Sequence, residues 1–355
     1  MRRVVIAIAV FFTFSHLHRE LSAQDIMRFK KLIEWGFDEP STKFMRENIY
    51  KMEQFPFDGV VFHALSTKGE KLHREMWGSR KFEFAEFEHA VDDLKATPFQ
   101  RFTDRFLRVN VQPGNVDWFD DEAWAVVLQN SKVAARIAKQ GGCKGFMFDT
   151  ESYVKKLFMY AEQQHRSAKT FSEYQAKIRQ RGKQWMATVN AEFPEIKILM
   201  TFGYAESGRL QRNSEERVYG LLADFLDGML DVCTPETRIV DAWERSFGYR
   251  KQEEFLEARN TTQTTVANYV ATPHRYLKHV QTGFGIWMDN RHHKVGWHLD
   301  DFSKNYFTPV QFEESVRLAL VASDEYVWIY TEKPLWWTNQ QLPQPYVDAL
   351  RKAHD

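Results

Sequence analysis

Eight short apolar runs, separated by segments with helical periodicity, constrain the fold of this 355-residue chain more than any other feature. Short apolar runs of this kind are typical of buried strands, and most of them end in an acid, an amide or an aromatic residue. The runs cover residues 29–36, 57–63, 106–112, 145–149, 196–204, 237–244, 279–289 and 325–332. The helical pattern is clearest over residues 82–94, 120–139, 172–193, 218–230 and 309–322. This alternation predicts an α/β fold, a single-domain (β/α)8 TIM barrel with extended loops.

An open, doubly wound sheet is the competing architecture, because it has the same order of strands and helices. Its dinucleotide-binding form would place a Gly-x-Gly-x-x-Gly turn after the first strand, and no such turn follows residues 29–36. The sequence contains no phosphate-binding loop either. We therefore prefer the barrel and assign residues 24–355 to it.

The stretch 141–153 contains the most informative pair of acidic residues. Two glycines form a turn, an apolar run follows, and Asp149 and Glu151 stand two positions apart where that run ends. Side chains at this spacing lie on the same side of an extended chain, so both can face one pocket. The alternative is a helix N-terminus capped by Asp149 or Thr150. Because other apolar runs also end in polar residues, we favour the pocket.

Polar and aromatic residues follow the other apolar runs in the same way. In a barrel, residues after the strands gather at the C-terminal mouth, where the active sites of such proteins lie. The predicted substrate-contacting residues at this mouth are Glu34, His63, Asn110, Gln112, Tyr204, Trp243, Trp287, Asp289, Tyr330, Glu332 and Trp336.

Asp241 and Glu244, near the end of the sixth run, add two further acids to this mouth. Hydrolysis of a glycosidic bond needs one carboxylic acid to protonate the leaving oxygen and a second carboxylate as nucleophile or base. Crowded carboxylates raise the pKa of one of them, which keeps it protonated near neutral pH. We predict that Glu151 is the acid and that Asp149 orients it. Glu244 is the predicted second carboxylate, with Asp241 as its close competitor.

With these strand ends the chain resembles the glycoside hydrolase barrels in general. The end of the fourth run resembles the chitinase-type signature Asp-x-x-Asp-x-Asp-x-Glu at its last two positions, Asp149 and Glu151. Lys144 and Met147 stand at the two earlier acidic positions. The resemblance implies a barrel enzyme that cleaves a polysaccharide or oligosaccharide, and it identifies the class rather than a family. We predict no cofactor.

Two other functions fit the same residues. A carbohydrate-binding barrel without turnover would lack a carboxyl pair at catalytic spacing, about 5–5.5 Å for retention or about 6.5–9.5 Å for inversion. A metal-dependent hydrolase would use His292, His293 and His298. These histidines lie in one loop without suitably spaced partner ligands, so we predict no metal site.

The charge balance argues against nucleic acid and anionic membranes as partners. Lys and Arg total 48, as do Asp and Glu, so the chain has no net basic field for nucleic acid or an anionic membrane. We therefore predict a carbohydrate substrate as the partner, and the sequence leaves the oligomeric state open.

Residues 1–23 have the order of a signal peptide, with a basic start, an apolar stretch and small residues up to Ala23. No later segment approaches the length of a membrane span. Cleavage after Ala23 would make the protein secreted or periplasmic, where a disulfide between Cys143 and Cys233 could form. We favour two buried free thiols instead, because the two cysteines precede non-adjacent strands.

Overall fold

The computed structural model describes residues 29–207, 214–291 and 295–355. The predicted signal peptide, residues 1–23, and the loop residues His292 and His293 lie outside these ranges. Within them, no helix is long and apolar enough to cross a membrane.

Within the described ranges, nine short strands form one parallel sheet that curls into a barrel. They are β1 (Lys31–Glu34), β2 (Gly59–Phe62), β3 (Asp104–Asn110), β4 (Gly145–Asp149), β5 (Lys197–Met200), β6 (Arg238–Asp241), β7 (Val280–Thr282), β8 (Phe284–Trp287) and β9 (Tyr326–Tyr330). Strand β7 pairs with β6, strand β8 pairs with β9, and only Gly283 separates β7 from β8. The seventh position of the barrel is therefore one strand interrupted at Gly283. The predicted TIM barrel is confirmed.

The interruption at Gly283 follows from close packing at that point. A Cβ atom there would lie 2.8 Å from Val240 Cγ1 and 3.0 Å from the carbonyl oxygen of Tyr326. Only glycine avoids both contacts, and its N–H donates to the carbonyl oxygen of Asp241 at 2.9 Å. The strand predicted over residues 279–289 is consequently found as two short pieces.

Helices connect the strands and cover the outside of the barrel. They are α1 (Thr42–Met52), α2 (Leu72–Glu75), α3 (Glu88–Ala96), α4 (Asp121–Gln140), α5 (Phe171–Glu192), α6 (Leu222–Val232), α7 (Gln252–Asn260), α8 (Pro273–His279), α9 (Pro309–Ala322) and α10 (Gln344–His354). The helix predicted over residues 218–230 begins only at Leu222, because residues 218–221 form a turn. Side chains cap the N-termini of several helices. At the start of α1, Ser41 is the N-cap residue, and its Oγ accepts a hydrogen bond from the Phe44 N–H at 3.2 Å.

Side chains alternate along the strands, and this alternation separates two apolar cores. The larger core lies between the sheet and the helices. The smaller core fills the barrel interior and consists of Ile33, Trp35, Val61, Phe106, Met147, Leu199, Val240, Ala242, Phe247, Trp287, Tyr326 and Trp328. A residue beyond the end of a strand can therefore reach the mouth of the barrel when it continues the inward-facing set of side chains of that strand.

Cys143 and Cys233 are both buried free thiols, as predicted. Burial raises the pKa of each thiol to about 12. Neither cysteine is a thiolate at neutral pH, so neither is an activated nucleophile.

Candidate active site

Strand β4 delivers Asp149 and Glu151 to the C-terminal mouth of the barrel. Met147 belongs to the interior core, and residues at even spacing beyond it continue on the same side of the chain. The N–H of Glu151 donates to Asp149 Oδ1 at 3.0 Å, so the backbone turns directly after the strand. Asp149 is fully buried, whereas Glu151 is half-buried in a cavity wall.

The carboxyl groups of Glu151 and Glu244 are hydrogen-bonded to each other. Glu244 follows strand β6 and begins a short 3-10 helix, Glu244–Gly248. The residue before it, Trp243, has a left-handed backbone with φ 36° and ψ 69°. A bulky residue in this region is strained by about 1–3 kcal/mol. The strained turn lies where the chain must direct Glu244 towards strand β4.

Burial raises the pKa of both carboxyls in this pair, and repulsion by neighbouring carboxylates, including Asp149, raises it further. The pKa of Glu151 is raised to about 7 and that of Glu244 to about 10. At a pH between these two pKa values, the pair holds one proton. One member can then donate a proton while the other is ionised.

Arg108 on strand β3 lies beside these acids and is shared by two buried carboxyl groups. Its Nη2 lies 3.1 Å from Asp149 Oδ2, and its Nη1 lies 3.2 Å from Glu39 Oε2. Burial raises the pKa of Asp149, and the Arg108 charge opposes that rise. Arg108 thus fixes Asp149 beneath Glu151.

Glu39 holds Arg108 from the other side. It accepts a hydrogen bond from Trp35 Nε1 at 2.9 Å, and its other oxygen lies 3.1 Å from His63 Nδ1. Burial alone would raise the pKa of Glu39, but His63 and Arg108 outweigh burial and lower it to about 2. Glu39 is therefore ionised at neutral pH and matches the Arg108 charge.

Two pockets meet at the Glu151–Glu244 pair. The first, which we call the aromatic pocket, has a volume of about 660 Å³ and includes Trp35, Phe37, Trp287, Trp328 and Tyr330. The second, which we call the polar pocket, has a volume of about 620 Å³ and includes Glu206, Arg245, Tyr249, Glu254, Asn290 and Tyr306. Glu151, Glu244 and Phe247 line both pockets. A ligand that spans the two pockets must pass the carboxyl pair.

Several of the predicted site residues line the aromatic pocket: Gln112, Glu151, Glu244, Trp287, Tyr330 and Glu332. Other residues of its wall were not predicted from the sequence: Trp35, Phe37, Lys71, His73, Arg74, Arg108, Tyr153, Thr201, Phe247 and Trp328. Arg108 had a sequence signal, since it stands two positions before Asn110 on the polar side of the third run. The unpredicted pocket residues that lie in loops had no such sequence signal, because only the folding of the barrel brings their loops to its mouth.

Asp241 lies outside both pockets. Val240 and Ala242 occupy the barrel interior, so the residue between them faces outward. Its carboxyl group packs against Gly203, where a Cβ atom would lie 2.2 Å from Asp241 Oδ2. Burial raises the pKa of Asp241 to about 7, and hydrogen bonds from backbone N–H groups oppose that rise. Strand alternation thus separates Asp241 from the Glu151–Glu244 pair.

Tyr204 and Trp243 also lie outside both pockets. The Tyr204 hydroxyl donates to Asp227 Oδ1 at 3.0 Å on the helix side of the barrel. Trp243 Nε1 donates to the Tyr249 hydroxyl at 3.2 Å. Both side chains face the outer core, where they pack against the surrounding helices.

Glu34 and Trp336 are fully buried away from both pockets. Burial raises the pKa of Glu34 well above its ordinary value, and the nearby carboxylates of Asp38 and Glu39 add to the rise. Trp336 packs edge-on against Phe57 with a ring-centroid distance of 4.8 Å. Neither side chain is placed to touch a ligand in the two pockets.

His63, Asn110 and Asp289 stand behind the pocket wall. The carboxylate of Glu39 holds His63 in place. Asn110 Oδ1 accepts from the N–H of Gln112 at 3.0 Å. Asp289 Oδ1 accepts from Trp287 Nε1 at 2.9 Å. The last two residues therefore fix side chains or backbone that do line the aromatic pocket.

The described residues provide no metal site. Within residues 29–207, 214–291 and 295–355, no group of three or more His, Cys, Asp or Glu side chains could hold a metal ion. The N–H of His298 donates to Asn305 Oδ1 at 2.7 Å, which anchors the loop backbone.

The fold is that of a TIM barrel, and solved structures similar to it include glycoside hydrolases. A tri-modular endo-β-1,4-glucanase from Bacillus halodurans superposes with a TM-score of 0.50 at 10% identity, over 94% of this chain and 61% of its own. A trimodular endoglucanase of the GH5_4 subfamily gives a TM-score of 0.52 at 10% identity, over 93% of this chain and 61% of its own.

A GH5 cellulase affiliated with Bacteroidetes and linked with a polysaccharide utilization locus gives a TM-score of 0.50 at 11% identity. That likeness covers 94% of this chain and 93% of the cellulase. No protein-family model and no curated protein matches the chain. At these identities the likeness establishes the barrel fold, and the chemistry has to be argued from the site.

Proposed function

We propose that this protein is a glycoside hydrolase that cleaves a polysaccharide or oligosaccharide with Glu151 and Glu244. The observation that carries the proposal is the hydrogen-bonded carboxyl pair at the junction of two pockets. A sugar chain lying across both pockets would place one glycosidic oxygen beside the pair. The aromatic wall would pack against the apolar faces of the sugar rings.

In this mechanism Glu151 protonates the leaving oxygen and Glu244 attacks the anomeric carbon. Burial raises the pKa of Glu151 to about 7 and the charge of Asp149 adds to the rise, so Glu151 can carry a proton near neutral pH. Two carboxyls in hydrogen-bond contact are closer together than in either class, and their spacing is nearer to the roughly 5–5.5 Å of retaining enzymes than to the roughly 6.5–9.5 Å of inverting enzymes. Their proximity supports retention, with Glu151 acting as the base when water hydrolyses the glycosyl-enzyme intermediate.

The higher pKa of Glu244 favours the reverse assignment of the two roles. Azide rescue of Glu151→Ala and Glu244→Ala, with an activated aryl glycoside as substrate, distinguishes the two assignments of acid and nucleophile. The variant that lacks the nucleophile should yield a glycosyl azide of inverted configuration. The variant that lacks the acid still forms the intermediate, so azide capture should give retained configuration.

Glu151→Gln tests the function itself. The amide keeps the shape of the side chain but has no transferable carboxyl proton, so we expect kcat to fall by roughly 10²- to 10⁴-fold. The measurement is release of reducing ends from a panel of polysaccharides, with circular dichroism to verify folding.

Asp241→Asn is the matched control, because Asp241 is a buried carboxyl near the end of the same strand as Glu244 but faces outward. We expect it to keep kcat within a few-fold of wild type. Near-wild-type turnover by Glu151→Gln would remove the proposed acid and contradict the proposal.

Export also belongs to this proposal. The order of basic, apolar and small residues in 1–23 supports cleavage after Ala23. The mass of the N-terminal peptide of the exported chain tests it, and a peptide that retains Met1 would contradict it.

A further inference from the structure

We infer that the aromatic pocket recognises an anionic sugar, one that carries a carboxylate or a sulfate ester. This inference rests on the proposed function, since it names the substrate class for the same site. It comes from two cationic side chains, Lys71 and Arg74, that line the pocket together with the aromatic rings.

Lys71 and Arg74 have no counter-ion among the residues that the structure describes. Among residues 29–207, 214–291 and 295–355, no carboxylate forms an ion pair with either side chain. Lys71 is half-buried, and burial lowers its pKa, as do the charges of Arg74 and Arg108, against the opposing effect of Glu39. A partly desolvated cation among like charges is unfavourable unless an anion completes the site.

The acids nearest to this wall are already engaged. Glu39 accepts from Trp35 and contacts both His63 and Arg108. Glu332, elsewhere in the same pocket wall, is ion-paired with Arg291. The Glu151–Glu244 pair shares a proton near neutral pH. Within the described part of the wall, the positive charge of Lys71 and Arg74 is therefore left for a ligand.

The polar pocket on the other side of the carboxyl pair has a different charge balance. Its cation, Arg245, is ion-paired with Glu206, and Nη2 of Arg245 donates to Glu206 Oε2 at 2.9 Å. Among the described residues that line the two pockets, the excess of unpaired positive charge is thus found in the aromatic pocket.

The aromatic pocket also offers a surface for the sugar ring itself. Phe37 lies in the pocket wall with 66% of its surface exposed, and it contacts Tyr330 edge-on with a ring-centroid distance of 6.1 Å. A sugar ring can stack on this surface while its anionic substituent reaches the cationic side chains. Lysine offers a point charge and arginine a planar fork, and both suit a carboxylate or a sulfate.

The test is isothermal titration of the full chain carrying Glu151→Gln, so that ligands are bound without being cleaved. The ligands are four matched oligosaccharides: a uronic acid oligomer, its carboxyl-reduced form, a sulfated oligomer and its desulfated form. We expect one charged form to bind at least about tenfold more tightly than its neutral counterpart, because hydrogen bonds to charged groups are the stronger ones. Binding should weaken as NaCl is raised.

Adding Lys71→Ala and Arg74→Ala should remove this preference, with a loss of about tenfold or more for the charged form. Lys71→Arg with Arg74→Lys keeps both charges and should restore most of the affinity. Lys68→Ala removes an exposed charge outside both pockets and is the matched control, expected to change nothing.

The carboxylated and sulfated pairs decide which anion is recognised. Equal binding of charged and neutral forms, or a preference that survives the double alanine variant, would overturn the inference and leave the glycosidase proposal standing. Charge-dependent binding by the Glu151→Gln chain, with no hydrolysis of the same oligomers by wild type, would support the inference and contradict the proposed catalysis.

Discussion

The charged groups at the two ends of the barrel are arranged in opposite ways: they are paired at the N-terminal end, whereas carboxyl groups crowd together at the C-terminal end. At the N-terminal end, Lys197 Nζ lies 2.6 Å and 2.7 Å from the two carboxylate oxygens of Glu325 and donates to the Tyr326 hydroxyl at 3.0 Å. That hydroxyl donates to Asp104 Oδ1 at 2.7 Å. Each charge there meets a donor or an opposite charge within the network.

At the C-terminal end, the carboxyls of Asp149, Glu151 and Glu244 crowd together, and the guanidinium that contacts Asp149, that of Arg108, is shared with Glu39. This arrangement raises the pKa of the carboxyls and prepares one of them to carry a proton. TIM barrels in general carry their active sites at the C-terminal end and rely on the N-terminal end for stability, and this difference in charge arrangement is consistent with the proposed function.

The largest expected effect follows from removing Arg108. Arg108→Met leaves Glu39 and Asp149 buried without their shared cation, so we expect the free energy of unfolding to fall by roughly 3–5 kcal/mol. Urea denaturation at neutral pH measures the loss.

Arg74→Met is the control for this change, because Arg74 is exposed and its removal leaves no buried charge. Its effect on stability should be within about 0.5 kcal/mol. If the two variants were equally stable, the C-terminal charges would not depend on Arg108, and the contrast between the two ends would fail.

A smaller effect is expected from pH. In the folded protein the pKa of Glu151 is raised from 4.5 to about 7 and that of Glu244 from 4.5 to about 10. The folded state therefore binds more protons than the unfolded chain above about pH 4.5, so its stability falls as the pH rises through 7. We expect a loss on the order of 2 kcal/mol between about pH 6 and pH 7, measured by urea denaturation across that range.

Glu244→Gln relieves the repulsion, so its stability should depend less on pH than that of wild type. It should also equal or exceed wild-type stability at pH 8 while turnover is lost. Parallel pH profiles for the two proteins would show that the crowded carboxyls do not strain the fold.

The smallest expected effect lies at the N-terminal end. Tyr326→Phe removes the hydroxyl between Lys197 and Asp104, and we expect a loss of about 1 kcal/mol in the free energy of unfolding, with turnover unchanged. Asp104 still accepts from Thr103 Oγ1 at 2.7 Å, which limits the cost. A clear drop in kcat with normal folding would mean that the N-terminal end also contributes to the chemistry.

Local patterns in the sequence determined much of the architecture. The apolar runs identified the strand positions, because a period of two and flanking turn residues belong to each segment by itself. The same reasoning placed Asp149 and Glu151 at the end of strand β4, where the structure has them. Glu151 could be related to Asp149 from sequence because the two are neighbours in the chain.

Only the tertiary structure decided which distant residues meet. The contact between Glu151 and Glu244 depends on the register of strands β4 to β6 and on the left-handed turn at Trp243, which no periodicity encodes. Strand alternation and packing turned Asp241 outward, although it stands only three positions from Glu244 in the sequence. Arg108 pairs with Glu39 across 69 positions, and such pairings form only when the barrel curls and brings separate strand ends together.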